Sequence, residues 1–269
     1  MKRKFSALIC GVLLLSAGAA HAEHKLLVTE LLDAKQVEVQ TGYEYSQLHT
    51  TLRNEGAFSK VDYGSRTTVG AGLGCGLQLD LSLRQVFQER DLEPSGVETH
   101  NGIGDLSAAL SYRIRAAEKW HLALVTGLGI KFDSAGRGNA GSGTTDVSPY
   151  LAASYQLEGG YIPYASYRAT LRNSGASDSH ELTFGLEKEI NKIVTLDCKG
   201  VASFGTGAAE RSSAEDYTLE VGPYLNLGKN LYLIPSLAVL QQSRRTIGDI
   251  KEQSVAGIKT GLALYCYFD

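Results

Sequence analysis

The chain has 269 residues, 26 of them basic and 29 acidic, for a formal net charge of −3, and 43% are hydrophobic. This mild acidity argues against nucleic acid as a partner, because polyphosphates select basic surfaces. Thirty glycines and 14 tyrosines stand against only 5 prolines, and beyond the N-terminal twenty residues no apolar run is long enough for a membrane helix.

Lys2, Arg3 and Lys4 open the chain, an apolar run follows from Phe5 to Ala20, and Ala20-His21-Ala22 has the small-x-small pattern of a signal-peptidase site. Basic start, short apolar core and small-residue exit predict a secretory signal over residues 1–22, cleaved after Ala22. The run is short and weakly apolar for a membrane anchor. Cys10 lies inside the apolar core, which is the wrong place for a lipoprotein cysteine. Losing Lys2, Arg3 and Lys4 leaves 23 basic against 29 acidic side chains, a net charge of −6. The cysteines that remain, Cys75, Cys198 and Cys266, are odd in number, so a complete intramolecular disulfide framework is impossible.

Residues 23–34 form a short amphipathic segment, expected in the periplasm as a helix or a frayed tail. From Lys35 onward, period-two alternation takes over. Val37, Val39, Thr41, Tyr43 and Tyr45 alternate with Glu38, Gln40, Gly42, Glu44 and Ser46, and Leu77, Leu79, Leu81 and Leu83 alternate with Gln78, Asp80, Ser82 and Arg84. Successive strand side chains point to opposite faces, so each segment has one apolar and one polar face, which no helix produces. Twelve such segments are predicted, at 35–52, 62–74, 77–90, 104–117, 120–133, 145–158, 161–173, 180–190, 194–208, 217–228, 231–245 and 254–268. The connections alternate between tight turns, such as Cys75-Gly76 and Lys229-Asn230, and longer polar loops at 53–61, 91–103, 134–144, 174–179, 209–216 and 246–253. Strands long enough to cross a bilayer, with short turns at one end and long loops at the other, predict an all-β fold: a single antiparallel up-and-down transmembrane barrel over 35–269, in the bacterial outer membrane. A soluble sandwich or lipocalin-like barrel needs neither feature.

Pro149, Pro163, Pro223 and Pro235 all fall within predicted strands, on the apolar face, where each removes a ladder hydrogen bond. Tolerated bulges in a repeated hairpin explain them, and so do misplaced strand boundaries. The last strand, with Leu262, Leu264, Tyr265, Tyr267 and Phe268, resembles the C-terminal signal read by the outer-membrane assembly machinery, with Asp269 following the final aromatic residue.

The stretch Gly102-Ile103-Gly104-Asp105-Leu106, continuing through Ala108 to Tyr112-Arg113, resembles the Gly-x-Gly-Asp-Leu…Tyr segment of the MetA-pathway of phenol degradation family. Thr126-Gly127, the glycines from Gly136 to Gly143, and Asp146-Val147-Ser148-Pro149-Tyr150 extend the resemblance. It implies an outer-membrane channel for passive transport of small solutes, hydrophobic or aromatic compounds among them, and it carries no catalytic residues over to this chain.

Enzymatic chemistry finds no support. His49, His100 and His180 lack the His-x-Ser-Asn-Gly surroundings of an outer-membrane phospholipase, and His121 beside Trp120 suits an interfacial aromatic girdle. The glycine-rich loop 134–144 has no Gly-Lys-Ser/Thr and is no nucleotide loop. Asp178, His180 and Glu181 have no spacing that raises them above a solvated loop. No catalytic, cofactor or metal site is therefore expected. What remains is the polar face. Its charges, among them Glu38, Asp80, Asp197 and Lys199, would cost about 2–4 kcal/mol for each Lys or Arg facing lipid at mid-depth, so they must point inward. The candidate pore-lining residues are Glu44, Arg84, Arg113, Lys131, Arg168, Glu187, Glu220 and Lys259. Basic residues concentrate on predicted strands three to seven and acidic ones on strands eight to ten and strand one, so the expected interior is charge-divided. A narrow polar pore passing small solutes, with outer-membrane lipid around it, is one reading. A non-conducting structural or surface-binding barrel, its lumen closed by pairs such as Arg168 with Glu187, is the alternative, and a lipid-modifying enzyme is a third.

Overall fold

The computed structural model describes residues 27–52, 56–93, 96–117, 121–135, 140–173, 177–207 and 213–269. Its strands are β1 (Val37–Leu52), β2 (Gly56–Gly74), β3 (Leu77–Glu93), β4 (Gly96–Arg115), β5 (Leu122–Lys131), β6 (Asp146–Tyr155), β7 (Tyr161–Arg172), β8 (Ser179–Glu189), β9 (Val194–Gly205), β10 (Ala214–Gly228), β11 (Leu231–Gln242), β12 (Arg245–Ile247), β13 (Ile250–Glu252) and β14 (Val255–Phe268). Apart from the short hairpin β12–β13, these are twelve long antiparallel strands, and β1 pairs with both β2 and β14. Val37 stands opposite Ala71 on one side and Phe268 on the other, so the sheet closes on itself as expected. Closure matters physically because it leaves no strand edge unpaired in lipid.

The alternation holds around the barrel. Leu81, Leu83, Tyr43, Phe184, Leu219 and Leu262 are exposed on the outside, a continuous apolar belt that water would not tolerate and a membrane satisfies. A recess of about 500 Å³ lined by Phe184, Ala202, Tyr217 and Leu219 lies on this outer wall and faces lipid, not the lumen. The tight turns form as their residues demand. Lys229 and Asn230 both have positive φ, 50° and 61°, the backbone of a two-residue hairpin turn matched to strand twist.

The prolines mark breaks in the ladder, and the strand boundaries around them are correct. On the β6–β7 side the register passes from Val147–Leu171 directly to Tyr150–Arg168, skipping Pro149. On the β10–β11 side it passes from Val221–Leu237 to Leu225–Leu233, skipping both Pro223 and Pro235. Pro163 lies beyond the last β6–β7 pair, Ser154–Tyr164. Each proline stays in register with its other neighbour: Leu128, Leu186, Leu196 and Leu262, respectively, for Pro149, Pro163, Pro223 and Pro235. The missing N–H donors thus fall where no partner strand asks for them.

Three expectations change. The long loops predicted at 53–61 and 91–103 are mostly strand, because β2 begins at Gly56 and β3 and β4 run on to Glu93 and from Gly96. The loop predicted at 246–253 contains the β12–β13 hairpin, held by an apolar cluster of Phe58, Leu92 and Ile247 with Ile250 packed against it. The described part of the N-terminal segment, Leu27 onward, is neither helix nor free tail: Leu27, Leu31 and Leu32 are buried.

The ladder is staggered. The row that starts at Glu38 on β1 runs through Gly70, Asp80, Ala109, Gly129 and Ser148, yet on β8 to β10 rows of the same series reach Ser179, Gly205 and Ala214 at the loop end. Strands therefore tilt against the barrel axis. Inward residues at one depth lie progressively nearer the turn end on later strands.

Candidate functional site: a charged lumen between two closures

The turn end of the lumen is occupied by the chain's own N-terminal segment. Thr29 shares a hydroxyl hydrogen bond of 2.6 Å with Ser154 on β6, and the Leu32 amide donates to Gln78 on β3 at 2.7 Å. Arg113 on β4 donates to the Leu31 carbonyl and lies 3.5 Å from Asp33. Leu32, 1% exposed, packs against Tyr232, Tyr265 and Tyr267 from β11 and β14. Inward residues from opposite walls thus hold one segment, which crosses the lumen. Tyr265 and Tyr267, expected in the C-terminal strand, serve this contact, while Leu262, Leu264 and Phe268 face lipid.

The second closure is the β5–β6 loop, which folds inward and is tied to Asp105. The Asp105 carboxylate accepts from the Ser134 and Ala135 amides, each at 3.1 Å, and from the Ser142 amide and hydroxyl at 2.8 and 2.9 Å. The glycine before it suits the same close approach. A Cβ at Gly104 would stand 3.2 Å from the Arg84 carbonyl oxygen and 3.3 Å from that of Ala140 in the loop. Gly-Asp therefore works as a latch: glycine admits the loop and aspartate binds it. Further toward the loop end, Lys60 on β2 meets Glu252 at 2.9 Å, Asp91 at 3.3 Å and the Gln242 side chain at 2.9 Å, and Arg245 holds Glu252 at 2.7 Å. This buried network draws β12–β13 across the mouth, past β1, onto β2 and β3.

Between the closures lie most of the charges read from the alternation. All eight candidates stand at inward positions of their strands. Lys259 pairs with Glu44 at 3.1 Å, although Glu44 stays 61% exposed, and Glu220 pairs with Lys199 at 3.0 Å. Arg84 holds Asp62 at 2.6 Å and Glu89 at 3.5 Å. Lys131 holds Asp146 at 2.8 Å and also donates to Ser142. Arg113 belongs to the N-terminal contact, away from open lumen. Glu187 is also at that end, 1% exposed, near Asp197, Tyr164 and Tyr224. The Arg168–Glu187 pair is not formed. Arg168 lies opposite Glu181, Glu187 lies opposite Ile162, and the Arg168 guanidinium sits 5.6 Å above the Tyr150 ring.

Sequence reading missed Arg66, Asp62 and Asp146. Arg66 and Asp62 alternate correctly, but Ser65, Thr67 and Thr68 beside them are polar and blur the two faces of β2. Arg66 points inward directly opposite Arg84, is exposed, and makes no ion pair or side-chain hydrogen bond with a described residue. By the stagger, Arg66, Arg84, Lys131 and Arg168 share one depth, with Glu44 on the neighbouring β1, diagonal to Arg66, and Glu220 on the far wall. His49 and Ser59 meet at 2.9 Å on the outer face of β1 and β2, with no described carboxylate to orient the ring, as in an ordinary cross-strand polar pair. Among the described residues no group of His, Cys, Asp and Glu is arranged to hold a metal.

Residues 39–175 match the family described as "Putative MetA-pathway of phenol degradation". The chain belongs to this family. The matched region of the MetA-pathway member takes in β1 to β7, the Gly104-Asp105 latch and the loop it binds. No curated protein matches the chain. Among solved structures, an outer membrane channel from Pseudomonas putida F1 is 14% identical, with 91% of this chain and 100% of that chain covered and a TM-score of 0.63. The KdgM porin in complex with disordered oligogalacturonate is 13% identical, covering 85% and 99% of the two chains at a TM-score of 0.52. The NanC porin is 13% identical, covering 84% and 98%, at 0.51. These likenesses establish the fold: this MetA-pathway member has the closed antiparallel β-barrel that those channels and porins have.

Proposed function

We propose that the barrel is a passive outer-membrane channel for small polar solutes, entered past the β5–β6 loop and governed at its turn end by the N-terminal segment. One observation carries this reading. Arg66, beside the β5–β6 loop, and Arg168 are charged, inward and exposed to the lumen. A lumen packed shut would bury these guanidiniums without partners at a cost of several kcal/mol each. A watered lumen leaves them hydrated. Arg66 and Arg168, with no ion pair among the described residues, give this wall a positive potential that low-dielectric surroundings focus, which favours solutes carrying negative charge or a dipole over purely apolar ones. The family's description links it to phenol degradation. A small aromatic compound bearing a polar group satisfies both the link and the field. Similarity to structures described as channels and porins supports the same reading. Export through a signal over 1–22 completes it.

The N-terminal segment favours a second state of the same protein, closed at rest. Single-channel recording in planar bilayers separates the two. Wild-type protein should conduct, and a chain lacking residues 23–34 should conduct more. A silent wild type whose truncated form conducts identifies a closed barrel that needs a release step. Silence in both, with the barrel folded, sinks the channel reading.

A further inference from the structure

The polar recess on the β2–β5 wall has a chemistry of its own. It measures about 160 Å³, and Arg66, Arg84, Asp105, Ser107, Lys131 and Ser142 are among the residues that line it. From these residues we infer that the recess is a binding site for the carboxylate of a small organic anion, with Arg66 as its principal ligand. This names the solute class of the proposed channel and rests on that reading.

The argument starts from register. Arg66 and Arg84 are cross-strand partners, both inward. Like charges placed directly opposite each other destabilise a sheet. Arg84 is relieved by Asp62 and Glu89. Arg66 has no such relief among the described residues, and its guanidinium is left to the lumen. Lys131 is engaged by Asp146. Asp105, which shares the recess, is no counter-ion for Arg66, because both its oxygens are taken up by the four donors of the loop, and Glu44, diagonal to Arg66 on β1, is paired with Lys259 at 3.1 Å. One planar, permanently charged fork therefore remains open, matched to the two oxygens of a carboxylate. The Ser107 hydroxyl, which makes no side-chain hydrogen bond to a described residue, lies in the same lining and adds a donor. The recess holds the volume of about five waters. That admits a carboxylate head group and leaves the body of the solute in the lumen, on the side toward Tyr150 and Arg168. Among the described residues of the lining, Arg66 is the cation without an acid partner, which suits a monoanion.

The test uses the full-length mature barrel in detergent micelles, with 4-fluorobenzoate and neutral 4-fluorobenzyl alcohol as probes followed by fluorine NMR. The same probes are then applied to channels in planar bilayers. Saturable binding of the benzoate and none of the alcohol is expected. Arg66→Gln should weaken binding about tenfold, equivalent to about 1.4 kcal/mol, and Arg66→Lys should weaken it less. Ser107→Ala, which breaks no ion pair, should weaken it about threefold and serves where the arginine variants fail to fold. Lys192→Gln, on the exposed turn between β8 and β9, should change nothing. Equal affinity for the alcohol, or wild-type affinity in both Arg66→Gln and Ser107→Ala, overturns the site and leaves the channel reading intact. Benzoate binding without any current overturns the channel reading and leaves the site standing.

Discussion

Replacing Asp105 with alanine should release the β5–β6 loop and widen the channel. The carboxylate accepts four hydrogen bonds from the loop, at 2.8 to 3.1 Å, through both oxygens. Hydrogen bonds to a charged group contribute about 1.5–3 kcal/mol each, but four sharing one carboxylate, in competition with lumen water, do not add in full. Removing one partner of a buried charged network costs about 3–5 kcal/mol, and that range is the measure of the latch. At tenfold per 1.4 kcal/mol, the released loop is populated below about 1% in the wild type. In Asp105→Ala the loop should spend a large share of its time away from the wall. Asp105 ties the loop and does not bear on the β3–β4 ladder, so the barrel should persist, as heat-modifiable gel mobility would check. Planar-bilayer recording should then show larger unitary conductance and added low-frequency current noise. Asp105→Asn, which keeps one acceptor oxygen for the Ser134 and Ala135 amides, should lie between. A folded Asp105→Ala barrel with wild-type conductance and noise would refute the latch.

Three further outcomes follow from the same contacts. Leu32→Ala removes the side chain packed on Tyr232, Tyr265 and Tyr267, a loss of about 2–5 kcal/mol for a buried leucine; amide exchange over residues 27–36 should accelerate while exchange in the strands does not, and unchanged protection there would argue against a lodged segment. Lys60→Met takes one of two cations from Glu252, whose side chain is 0% exposed, and leaves Arg245 at 2.7 Å, a loss below the roughly 3–5 kcal/mol of a fully broken buried pair, so protease should cut within 245–252 faster than in the wild type; Lys60→Arg should keep resistance, and unchanged resistance in Lys60→Met would mean the apolar cluster alone holds the hairpin. Intact mass of the protein extracted from outer membranes should correspond to a chain beginning at Glu23, and a mass that retains residues 1–22 would contradict the signal-peptide reading.

The barrel was legible in the sequence because its cause is local. Every second side chain of a membrane-crossing strand meets lipid, so Leu77, Leu79, Leu81 and Leu83 announce a strand, its face and its surroundings without reference to any other part of the chain. The same alternation placed Arg84, Lys131, Arg168 and Glu220 on the inner face. Partners were not legible. Arg168 and Glu187 seem neighbours when strands are merely counted, but the register sets Arg168 opposite Glu181 and draws Glu187 down among the contacts of the turn end. Depth in a tilted barrel accumulates from strand to strand, so it depends on every turn and bulge between two residues. Arg66 could be called unpaired only once its cross-strand neighbour was known to be another arginine. Asp105 was visible as part of a motif, but its four donors come from a loop of small polar residues with no pattern of its own. The N-terminal segment and the β12–β13 hairpin are the extreme cases. Their contacts join residues 46, 82 and 192 positions apart, as in Leu32 with Gln78, Leu31 with Arg113, and Lys60 with Glu252. Such contacts exist only after the sheet has closed and brought opposite walls together.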